Sequence, residues 1–143
     1  MTENYEKVLR RALNMLAYSP NTRSSLVRKL KEKGAADEDI VAVIEYLEKK
    51  GYLDERAFLF RFVENAGKTY GKRRIYTAAR AKGFSQNILD ECFDEACEQV
   101  DFVAACKKQI AKKNKGDPQK LVAALMRAGY DYDTIKQAAQ KTE

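Results

Sequence analysis

Apolar residues recur every third or fourth position along much of the chain. Val8, Leu9, Ala12, Leu13 and Leu16 form one stripe, and Phe58, Leu59, Phe62 and Val63 form another. A helix places positions at this spacing on one face, whereas a strand needs strict alternation. No segment alternates over a useful length, so the pattern predicts helices and no sheet. Two of those helices cover roughly residues 4–18 and 54–67, and a third is expected over roughly 99–114.

Glycines then expose a repeat. Gly34, Gly83 and Gly129 each close one helical pattern and precede another, at separations of 49 and 46 residues. Laid on these glycines, "LVRKLKEKGAADEDIVAVIEYL", "IYTAARAKGFSQNILDECFDEA" and "LVAALMRAGYDYDTIKQAAQKT" align without a gap. Leu26, Ile75 and Leu121 coincide, as do Leu30, Ala79 and Leu125, then Ile40, Leu89 and Ile135, then Ile44, Phe93 and Ala139. Each segment therefore reads as two amphipathic helices with the glycine as a left-handed C-cap. Pro20, Gly71 and Asp117-Pro118 break the chain ahead of each pair. Asp37, Ser85 and Asp131 are the expected N-caps of the last helix in each copy. The fold class is all-α: three tandem three-helix, helix-turn-helix-like repeats over 1–51, 52–97 and 98–143, forming an elongated chain of bundles, straight or curved. Units this small bury too little surface to stand alone and must share apolar faces with their neighbours.

Composition narrows the chemistry. With 45% apolar and 34% charged residues the chain reads as folded and soluble, and no apolar run approaches the length of a membrane span. The opening "MTENYEKVLRRALNML" is acidic at its start and lacks a cleavage-site pattern, which marks it as mature sequence. Cys92, Cys97 and Cys106 are odd in number and have no C-x-x-C spacing, so small buried thiols in a reducing, cytoplasmic setting are expected. Histidine is absent, which removes His-based zinc sites, Ser-His and Cys-His nucleophile pairs and the commonest general base. Asp90, Glu91, Asp94 and Glu95 form two i, i+4 carboxylate pairs, but solvated carboxylates explain them better than a metal or a metal-dependent nuclease. No cofactor and no metal are expected.

The formal charge is +6, and its distribution matters more than its size. "KTYGKRRIYTAARAKGF", residues 68–84, holds six cations and no acid. Lys72, Tyr76 and Arg80 fall at i, i+4, i+8 on one helical face, with Arg73 and Arg74 in the first turn. A helix start already favours anions, so two arginines there suit phosphate or carboxylate. On the glycine alignment Lys72 overlies Arg23 and Arg80 overlies Lys31, so a basic stripe continues across two units and Arg28 extends it. A solvated cationic face remains the competing explanation. Lys108 and Lys112 share a face in the third unit, with Lys115 near a helix end. Tyr18, Tyr52, Phe58, Phe60, Phe62 and Tyr70 are expected around the junction of the first two units, mostly as packing, with Tyr70 exposed and free to touch a partner.

Four stretches carry a resemblance over nearly the whole chain: "GYLDERAFLFRFVENAGKTYGKRRI" at 51–75, "ARAKGFSQNIL" at 79–89, "LVRKLKEKG" at 26–34 and "LVAALMRAGYDYDTI" at 121–135. By these the sequence resembles the RecX family of regulatory proteins, inhibitory modulators of the RecA recombinase. The resemblance implies tandem three-helix repeats that lie in the groove of a RecA filament on DNA. It also implies suppression of the filament's ATPase, strand-exchange and co-protease activities without catalysis. The candidate contacts with a RecA filament or DNA are then Arg23, Arg28, Tyr70, Lys72, Arg73, Arg74, Tyr76 and Arg80, on a monomer, with single- or double-stranded DNA left open as a second partner. The rival reading is a helix-turn-helix-like protein acting directly on nucleic acid. Against sequence-specific reading stand the acidic last helices "DEDIVAVIEYLEKK" and "SQNILDECFDEAC", poor in groups that read base edges.

Overall fold

The computed structural model describes residues 3–113 and 116–140, and among them it holds helices and no strand. In chain order these are α1 Glu3–Tyr18, α2 Arg23–Glu32, α3 Asp37–Lys49, α4 Glu55–Ala66, α5 Lys72–Lys82, α6 Gln86–Glu98, α7 Phe102–Lys113, α8 Pro118–Arg127 and α9 Tyr132–Ala139. They pack in threes. Tyr5, Val8 and Ala12 of α1 meet Leu26 and Leu30 of α2 and Ile40, Val43, Ile44 and Leu47 of α3 in one core. Phe58, Leu59 and Val63 of α4 meet Ile75 and Ala79 of α5 and Leu89, Cys92, Phe93 and Ala96 of α6 in a second. Cys106, Leu125, Ala128, Tyr130, Ile135 and Ala138 form the third and smallest.

The aligned positions account for most of this packing: Leu26, Leu30, Ile75, Ala79 and Leu125 are all at most 1% exposed. The register departs once. Ala139 is exposed, and its neighbour Ala138 fills the core instead. Gly34, Gly83 and Gly129 all take positive φ, at 88°, 105° and 101°, as left-handed helix endings require. Ser85 and Asp131 cap α6 and α9 by accepting the amides of Ile88 and Thr134 at 3.2 and 2.7 Å. Asp37 does not cap α3. The N-cap there is Ala36, without a side-chain bond, and Asp37 lies in the first turn beside Glu38 and Asp39, where carboxylates favour the helix dipole. The third unit's first helix starts at Phe102 rather than near 99, because the Asp101 carboxylate accepts the Ala104 amide and fixes the start there.

Successive units meet end to end along their middle helices. The C-terminal turn of α8 abuts the start of α5, where the Gly71 amide donates to the Ala128 carbonyl at 2.8 Å and the Arg73 amide to Gly129 at 3.3 Å. The C-terminal turn of α5 in turn abuts the start of α2, where the Thr22 and Ser24 hydroxyls donate to the Lys82 and Gly83 carbonyls at 3.4 and 2.8 Å. Each joint sets the carbonyl end of one helix against the amide end of another, so opposite dipole ends meet. Gly71 has an ordinary φ of −84°, yet a side chain there would run into the backbone of Gly129 and Tyr130. Close approach, and not backbone conformation, requires glycine at this position.

Candidate functional site

The densest collection of sequence-predicted contact residues lies where α5 begins. Burial of Ile75 and Ala79 turns the rest of that helix outward, so Lys72, Arg73, Arg74 and Arg80 are all exposed. Exposure does not leave them free. The Lys72 ammonium lies 2.9 Å from the Asp94 carboxylate on α6, and that hydrogen bond raises its pKa. Arg73 Nη2 donates to the Met126 carbonyl, and Arg74 Nη1 donates to the Arg127 carbonyl at 3.5 Å. Both guanidinium groups thus cover the last carbonyls of α8, an end where cations are favoured. Two amides at this helix start, those of Gly71 and Arg73, already carry the Ala128 and Gly129 carbonyls. The helix start read as favourable to an anion thus also forms part of a joint between two units.

Tyr70 is corrected as well. It is half-buried, packs against both the second and third cores, and holds the Arg74 guanidinium 4.3 Å above its ring. The expected aromatic cluster divides in the same way: Phe58 is buried and Phe60 and Phe62 pack beside it, but Tyr18 and Tyr52 are 92% and 58% exposed. Tyr76 is half-buried with its ring edge-on to Phe93, centroids 5.1 Å apart, and its hydroxyl accepts from Gln86. In the first unit Arg23 lies 3.8 Å from Glu48 and Arg28 3.7 Å from Glu32, exposed pairs of little energetic weight. Lys31 stands 3.8 Å from Asp37. Arg80 differs from all of these: among the described residues it has no carboxylate or carbonyl partner. Lys107, Lys108, Lys112 and Lys113 are exposed, and Lys115 lies outside the described residues.

Beside the joint runs a cleft of about 630 Å³. Leu89, Phe93 and Phe102 line it together with Lys72, Arg73, Asp90, Asp94 and Asp131. Three of the four carboxylates at 90–95 are engaged elsewhere: Asp94 with Lys72, Glu95 with Arg56 at 3.3 Å, and Asp90 with the Gln86 amide at 2.8 Å. Among the described residues no group of three or more His, Cys, Asp or Glu is placed to hold a metal ion. Cys92, Cys97 and Cys106 are buried, and burial pushes the Cys97 thiol up to about 11, so it stays protonated and unreactive near neutral pH.

Residues that pattern reading passed over complete the joint. Tyr130 is 2% exposed and its hydroxyl donates to the Thr69 carbonyl at 3.1 Å, while burial raises its pKa to about 12. Its place directly after Gly129 was the available signal, since an aromatic beside a left-handed glycine often packs back on the helix it ends. Asp131 is held below the ordinary carboxylate range, chiefly by the Thr134 amide and then by the Thr134 hydroxyl. A lowered carboxyl pKa stabilises the fold above the unfolded value and ceases to do so as pH falls through the folded value. Asp131→Asn should therefore melt below the parent at neutral pH, and the two melting curves should converge in acid. A constant gap across that range would mean that charge is not what Asp131 contributes.

Units of three helices docked end-on through their middle members define a tandem three-helix repeat protein. A family model described as RecX, first three-helix domain, matches residues 9–47. Regulatory protein RecX of Prosthecochloris aestuarii is 31% identical over 140 residues, covering 92% of this chain and 90% of its own. Regulatory protein RecX of Bacillus licheniformis is 27% identical over 150 residues, and the match spans 99% of this chain but 57% of that relative. The crystal structure of RecX from Lactobacillus salivarius superposes with a TM-score of 0.81 at 20% identity, over 96% of each chain. The chain belongs to the RecX family of regulatory proteins. No helix among the described residues is long and apolar enough to cross a membrane.

Proposed function

We propose that this chain is a non-catalytic regulator that binds RecA nucleoprotein filaments and inhibits their recombinase, ATPase and co-protease activities. Acting in the cytoplasm as a monomer without a cofactor, it would modulate DNA repair and the SOS response. The observation that carries this reading is the family match over nearly the whole chain, combined with a cationic α5 whose arginines stay exposed at a joint between units. Residues 1–51, 52–97 and 98–143 act on this view as successive contact units along one filament, the second supplying the acid-free run of six cations at 68–84. Direct binding to DNA is the competing outcome.

Arg80 is the clean probe because, among the described residues, no carboxylate or carbonyl depends on it. Arg80→Glu should leave the melting point within about 0.5 kcal/mol of stability, as exposed substitutions usually do. Inhibition of the DNA-dependent ATPase of RecA should weaken about fivefold, in line with about 1 kcal/mol for one reversed charge at an interface rim. Unchanged inhibition would place the contact surface elsewhere on the molecule.

A further inference from the structure

The two joints are built from different materials. Between the second and third units, backbone amides of Gly71 and Arg73 bond directly to the Ala128 and Gly129 carbonyls, and the buried Tyr130 bonds to Thr69. Arg73 and Arg74 add two further bonds to α8, and Tyr70 and Phe102 pack into both cores at once. Between the first and second units, among the described residues, the backbone bond is the one from the Leu53 amide, in the short link after α3, to the Leu47 carbonyl at 3.1 Å, and apart from Leu53 in that link no side chain of the second unit enters the first core. What else crosses there is the pair of hydroxyl bonds from Thr22 and Ser24, the longer at 3.4 Å, and the Glu55 carboxylate, which accepts the Ser85 amide at 3.3 Å and interacts with Arg23. Ser24 and Glu55 sit on the wall of an open cleft of about 840 Å³ between α2 and α6, where water competes for their bonds, whereas Thr22 is buried.

We infer that the chain is a two-part device: the second and third units form one stiff arm, and the first unit pivots on it about the contact of Thr22 and Ser24 with the Lys82–Gly83 turn. Swinging the first unit costs two hydroxyl bonds and the Glu55–Arg23 contact and uncovers Thr22, but it separates no side chain shared by two cores. Moving the third unit would break backbone bonds, uncover Tyr130 and separate aromatic side chains shared by two cores. Opening at the first joint is thus the low-energy motion of the molecule. The cleft between α2 and α6 widens or narrows with it, so the first unit's Arg23 and Arg28 change their distance from the α5 cations. This inference concerns the free chain and stands or falls independently of the RecA reading.

Spin labels at exposed positions read the difference directly. Glu45→Cys with Glu91→Cys spans the first joint, and Glu91→Cys with Lys136→Cys spans the second; the native thiols are buried, and labelling stoichiometry checks that they stay unmodified. Pulsed dipolar measurements on the full chain without partner should give a distance distribution about twofold broader across the first joint than across the second. Ser24→Ala should broaden the first further and leave the second unchanged. Equal widths, or a broader second joint, would overturn the inference. A first-joint distribution insensitive to Ser24→Ala would overturn the pivot assigned here, while the unaltered second pair shows that the variant is folded.

Discussion

Replacing Gly71 by alanine should detach the third unit from the second, although the substitution adds a single methyl group. The residue has an ordinary helix-start conformation, so the new side chain costs nothing locally. Its Cβ, however, would occupy the space held by the backbone of Gly129 and Tyr130, which cannot give way as a flexible side chain would. The joint must open, and with it go the Gly71–Ala128, Arg73–Gly129 and Tyr130–Thr69 hydrogen bonds. At about 1 kcal/mol each these amount to about 3 kcal/mol, or a melting point lower by about 10 °C for a chain of this size. Gly34→Ala is the control, because φ there is 88° but nothing lies near the added carbon. It should cost about 1 kcal/mol from the left-handed backbone alone. Thermal unfolding followed by circular dichroism measures both. If the two variants melt together, close approach is not what holds the second joint.

The second large effect is expected on inhibition. Replacing Lys72, Arg73 and Arg74 together by Glu reverses three charges on the surface proposed to meet the filament. It should weaken inhibition of the DNA-dependent ATPase of RecA at least about tenfold, since about 1.4 kcal/mol of lost binding suffices. Pattern alone suggests that stability would be untouched, because all three look like solvated side chains. The structure changes that expectation: carboxylates would face the Met126 and Arg127 carbonyls and the Asp94 carboxylate. A fall of several degrees in melting point should accompany the loss of inhibition. The matched reversal of Lys107, Lys108 and Lys112, which cover no carbonyl among the described residues, should cost less inhibition and leave the fold intact. Equal losses from the two triples would show that the contact surface is not concentrated in the second unit.

These expectations mark how far the sequence could be read. Helix positions, the threefold repeat and the left-handed glycines were legible because each depends on neighbours a few residues away. Ile75 and Ala79 announce a buried face by spacing, and Gly83 announces a helix end by lacking a side chain. The role of Arg73 and Arg74 was not legible, because their partners lie 53 residues along the chain. Nothing in a cationic helix start distinguishes an arginine awaiting phosphate from one already covering a carbonyl. Tyr70 and Gly71 read as a loop for the same reason, since their contacts are with another unit. Asp37 shows a smaller version of the problem: a carboxylate suits the N-cap and the first turn alike, and one residue decides between them.

The central claim is that the partner is a filament and not bare nucleic acid. Affinity should be measured for a nucleotide-bound RecA filament on single-stranded DNA and for the same DNA alone, in the same salt, because phosphate contacts weaken steeply as salt rises. The account predicts clearly tighter binding to the filament, with a shallower dependence on salt than for the DNA. Equal affinity for the two, falling equally with salt, would contradict it and identify a protein that acts on DNA directly.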